Sequence, residues 1–154
     1  MMPTVRLEFS PAPAHVRTAR LVAVAVARRA GVPEPVLDEV RLAIGEACSR
    51  AVALHRRYGL PDLVTVEMSD GARFSAKVVD RAPREETFGG AGELPDPLAL
   101  VEEDSRAEDD DKVAIGMRLA LLAGLVDDLE VAPAPGSVGT VVRMSWPVHD
   151  TELR

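Results

Sequence analysis

Cysteine occurs once in these 154 residues, at Cys48, so no disulfide can form within the chain, which suits a reducing cytoplasm. Lysine is almost as scarce: only Lys77 and Lys112 are present, and every other basic side chain except histidine is arginine. Basic charge as a whole falls short, leaving a net charge of −7 that argues against a nucleic-acid backbone as the main partner. No apolar run approaches the ~18 residues a membrane span needs. The N-terminal MMPTVRLEF has no basic head followed by an apolar stretch, so no signal peptide is expected. The histidines have no metal-ligand spacing, and no internal repeat is visible. What is present is ordinary globular material. Hydrophobic residues make up 47 % and charged residues 28 %, which excludes global disorder. A single domain over residues 1–154 is expected, able to bury roughly 70% of its unfolded surface.

Period-two alternation of Val5, Leu7 and Phe9 predicts a half-buried strand, ended by Ser10 and the prolines after it. Ala14 to Ala30 lacks glycine and proline and repeats apolar residues at helical spacing, so a first helix is predicted there, stopped by Gly31 and Pro33. Pro35 fits the first turn of a second helix reaching Tyr58. Its apolar stripe is Leu37, Val40, Ile44, Ala47, Cys48 and Ala51, and Glu39, Ala43, Glu46, Arg50 and Arg57 form an opposite, polar stripe. Two strands, 63–69 and 72–79, flank an Asp70-Gly71 hairpin signal. Residues 81–111, rich in Pro and Gly and ending in an acidic run from Glu102 to Asp111, read as a flexible lid, the run itself as a solvated one. A third helix is predicted over 112–127, then two strands around a turn at 133–139. The order β-α-α-β-β-loop-α-β-β is not strictly alternating. It predicts an α/β (α+β) two-layer sandwich: one mixed sheet with helices on one face.

The segment VRLAIGEACSRAVALH, residues 40–55, resembles the N-box helix of the GHKL ATPases, and most closely that of the RsbW and SpoIIAB type of anti-sigma serine kinase. GMRLALLAGLVDDLEV, residues 116–131, resembles the second glycine box of that family and the helix after it, and GTVVRM, residues 139–144, its closing strand. Asp80 falls where the adenine-binding glycine box begins. The resemblance runs from Val5 to Pro147 and implies the histidine-kinase-like ATPase fold.

It also implies roles. Glu46 stands at the position of the general base for phosphorylating a partner serine, and Arg50 at that of the Asn that ligates Mg²⁺. Asp80 stands at the adenine position, and Gly116 and Arg118 in the phosphate-binding box. Several of these are eroded. Glu46 and Arg50, spaced i and i+4, face the same way, so a guanidinium beside the carboxylate would make it a poorer base. Arginine has no lone pair for Mg²⁺. Ala82, Pro83, Arg84 and Arg118 replace residues with small side chains and free N–H groups. Arginine at the Asn position is similar to a UsfX-like branch of the family. Taken alone, Glu46 with Arg50 is a surface ion pair worth ~0.3–0.5 kcal/mol; the resemblance makes it a relic nucleotide site. Cys48, on the apolar stripe, is expected to be a buried inert thiol.

The resemblance thus implies a cytoplasmic homodimeric anti-sigma factor. It would sequester an alternative sigma factor and be released by a STAS-domain anti-anti-sigma partner. ATP and Mg²⁺ would bind weakly or not at all, and no other cofactor or metal is expected. The alternative is an active serine/threonine kinase acting on that antagonist.

Overall fold

The computed structural model describes residues 4–83, 107–126, 128–136 and 138–148, without the side chains of 107–114. The chain runs β1 (Thr4–Phe9), α1 (Pro13–Ala30), α2 (Glu34–Arg57), β2 (Val64–Ser69), β3 (Arg73–Asp80), α3 (Ala107–Leu125), β4 (Asp128–Pro133) and β5 (Thr140–Pro147). This is the expected order of elements. The strands form one five-stranded sheet in the order β1-β2-β3-β5-β4. Every ladder in it is antiparallel, rather than some parallel as a mixed sheet would have.

Local chemistry explains most boundaries. Pro13 opens α1, and Gly31, with φ of 101°, closes it by donating its N–H back to the last turn. Most of the predicted lid, 84–106, lies outside the described residues. Its last part does not: α3 starts at Ala107, five residues before Lys112. Acidic residues favour a helix's first turn, a signal that treating the whole acidic run as loop ignores. The β2–β3 connection also differs from the tight Asp-Gly turn. Gly71 does not take a positive φ, and the last ladder pair is Ser69 with Ser75, so the turn is wider.

The core lies between the sheet and the helices. Leu37, Val40, Ile44, Ala47, Cys48 and Ala51 of α2 are all buried, as the stripe predicts. They meet Val66, Met68, Ala76, Val78 and Met144 of the sheet in one cluster with Ala19, Ala23 and Ala27 of α1. Phe74 and Trp146 stack at 5.9 Å, and the Trp146 indole N–H donates to Glu39 Oε1 at 3.1 Å, tying β5 to the start of α2. The other sheet face carries a charged row, Arg6, Glu67, Lys77, Arg143 and Glu130, in register across all the strands.

The opposite stripe of α2 is not the open polar face its pattern suggests. Ala43 is 0 % and Arg50 1 % exposed. The reason is tertiary: α1 and α3 both pack on α2, so it is covered on its flanks as well as by the sheet.

Candidate functional site

Two charged pairs, one helical turn apart on α2, define the site. Arg50 donates from Nη1 to Asp80 Oδ2 at 3.0 Å, with both side chains 2 % exposed. Arg118 of α3 donates from Nη1 to Glu46 Oε2 at 2.8 Å, half exposed. The pair expected between Glu46 and Arg50 is therefore replaced by two pairs between elements. Glu46 is half-buried, not solvent-facing. The exchange has a physical basis: the end of β3 runs against α2 where Arg50 emerges, and a guanidinium leaving water there needs a buried anion.

Asp80 is the best-held residue of the group. Its second oxygen, Oδ1, accepts the Ala82 backbone N–H at 3.1 Å. Behind it, Asp80 is registered with Thr140 of β5. Gly139 comes so close that a β-carbon there would sit 2.0 Å from the Asp80 carbonyl oxygen. One turn further along α2, His55 is fully buried. Its Nε2 accepts the Arg81 N–H at 2.9 Å, which leaves Nδ1 to donate to the Asp62 carbonyl at 3.0 Å. Those partners assign a neutral ring with its proton on Nδ1. His55 thus fastens the end of α2 to the chain leaving β3. No local sequence signal marks this role of His55, because both its partners are backbone groups of other segments.

Gly116 stands apart. It lies well inside α3, where its N–H belongs to the helical ladder rather than to a loop that could cradle phosphate. Of the five candidate residues, the fold therefore joins Arg50 to Asp80 and Glu46 to Arg118, and places Gly116 in a helix interior. Among the described residues, no group of three or more His, Cys, Asp or Glu could hold a metal ion. Among them, too, no helix is long and apolar enough to cross a membrane.

A family model described as a histidine kinase-like ATPase domain matches residues 9–146, and the chain belongs to that family. No curated protein matches the chain. The family implies a nucleotide with Mg²⁺, and the residues here can be tested against it. Position 50 offers the metal no lone pair. Both oxygens of Asp80 already accept donors from Arg50 and Ala82. The Gly116 N–H is committed to its helix. As arranged, these groups do not fit a Mg²⁺-bound triphosphate.

Proposed function

We propose that this protein is an anti-sigma factor that acts by direct binding, without using nucleotide. The single observation that carries the nucleotide-free part is the buried Arg50–Asp80 pair: the carboxylate that would meet an adenine amino group is satisfied from within. What supports the anti-sigma part is the likeness of residues 40–55 and 116–131 to the RsbW and SpoIIAB type, within a family match that covers most of the chain. The partner is an alternative sigma factor held away from RNA polymerase in the cytoplasm. Sigma factors are basic where they meet DNA, and a chain of net charge −7 complements them. A STAS-domain antagonist releases the complex by competing for its surface, and the working form is a homodimer.

The rival is a serine/threonine kinase with Glu46 as base. One experiment separates the two: sigma-dependent transcription and radiolabel transfer from ATP to a STAS protein, measured for wild type and Glu46→Gln. The expected result is equal inhibition of transcription by both proteins and transfer by neither. A general base contributes roughly 10²–10⁴-fold. Clear transfer by wild type, lost in Glu46→Gln, would therefore make the protein a kinase.

A further inference from the structure

The side of α1 next to Arg41 of α2 reverses the sign of the whole molecule. Arg17, Leu21, Val24 and Arg28 follow one another along α1 at the spacing of a single helical stripe, with Arg20 beside them. With Arg41 they line an open groove of about 520 Å³. Leu21 within it is 64 % exposed, so the groove offers water an apolar strip flanked by guanidinium groups.

Two of these arginines lack a counter-charge: among the described residues no carboxylate pairs with Arg17 or Arg20. Arg28 holds Glu34, and Arg41 holds Asp38, at 3.0 Å each, but all four side chains are at least 55 % exposed. Exposed pairs of that kind are weak and exchangeable. Arg20 is also placed in advance. A β-carbon at position 45 would stand 2.7 Å from its Cδ, so the stem of Arg20 lies across α2 where Gly45 leaves room. An arginine held by its stem loses less freedom when it binds.

We infer that this groove docks an acidic amphipathic helix of another protein, one whose apolar stripe is flanked by Asp and Glu. Guanidinium groups hold carboxylates in paired, directional hydrogen bonds. Leu21 and Ala25, both exposed, give an apolar stripe something to cover. A nucleic acid would find no use for that strip, and a chain of net charge −7 repels a phosphate backbone at range. The inference stands apart from the sigma-factor reading, since its test needs neither sigma factor nor STAS protein.

The test uses the full chain and three fluorescent probes: a helical peptide of Leu at i, i+3 and i+4 spacing flanked by Glu, the same peptide with Lys for Glu, and a single-stranded oligonucleotide of equal negative charge. The Glu peptide should bind best and weaken as salt is added. Reversing charge with Arg17→Glu and Arg28→Glu together should lower its affinity about tenfold or more. Gly45→Ala changes no charge, yet by displacing Arg20 it should lower affinity several-fold. The atoms nearest its new methyl all belong to the flexible Arg20 side chain, and alanine favours helix, so it decides the matter if the double variant fails to fold. Equal binding of the Lys peptide, tighter binding of the oligonucleotide, or variants that bind like wild type would each overturn the inference.

Discussion

Asp80 shows how much can rest on one carboxylate. It answers a buried guanidinium and a backbone N–H together, so its removal leaves charge stranded in the interior. Breaking a buried pair on one side costs ~3–5 kcal/mol, whereas replacing both partners by apolar groups is often nearly neutral. Asp80→Leu should therefore lower the unfolding free energy in urea by about 3 kcal/mol or more, and Arg50→Met combined with Asp80→Leu should recover at least half of that. A single-variant loss under ~1 kcal/mol would mean that the pair is not what holds Arg50. Cys48 makes a different residue-level case. Burial pushes its thiol up to about 12, only partly opposed by the nearby Arg20. The folded thiol thus holds its proton more tightly than the unfolded one, whose ordinary value is 9.0. The stability this contributes is complete below pH 9 and is lost as pH rises towards 12. At pH 8, a thiol reagent should label the native chain only at the rate of unfolding. In alkaline urea titrations, Cys48→Ala should show a shallower fall in stability than wild type. Prompt labelling of the folded protein would contradict the burial.

At the scale of elements, β3 and β5 meet at close quarters where Gly139 faces Asp80. Gly139, with φ of 114°, enters β5 against the Asp80 backbone, and no side chain can move aside to admit a methyl there. Gly136, in the same turn, has φ of 104° but open space around it. The two positions separate conformational strain from collision. Gly136→Ala should cost about 1–2 kcal/mol for the left-handed backbone alone. Gly139→Ala should cost at least ~3 kcal/mol more, because the strands must part. Thermal melts of the two variants would measure the difference, and equal melting temperatures would show that the junction yields easily. α2 teaches the complementary lesson. Its apolar stripe was readable because period 3.6 is written locally. Its other stripe reads as solvent-facing, yet Arg50 and Ala43 are buried, because α2 is packed by α1, α3 and β3, whose positions no local period records.

For the molecule as a whole, the internally satisfied site predicts indifference to nucleotide. A ligand at 100 times its Kd adds ~2.7 kcal/mol to the stability of a folded state it alone binds. In a domain this long that corresponds to roughly 5–10 °C of melting temperature. Melting should shift by less than ~1 °C in millimolar Mg-ATP if the site is closed from within. A shift of several degrees that EDTA abolishes would show that Asp80 exchanges Arg50 for the ligand.

By itself, the sequence determined the order of the eight elements, the apolar face of α2 and the burial of Cys48. Each is encoded by short-range periodicity or by stop signals such as Gly31. The family resemblance singled out Glu46, Arg50 and Asp80 as candidates. Only the tertiary structure decided how they pair. Arg50 meets a carboxylate 30 positions away, Glu46 meets a guanidinium 72 positions away, and His55 is satisfied by backbone from two other segments. The i,i+4 spacing offered a ready local pair and it was the wrong one. A buried charge takes the partner that the packing of strand against helix brings to it, and that packing is settled by the core as a whole.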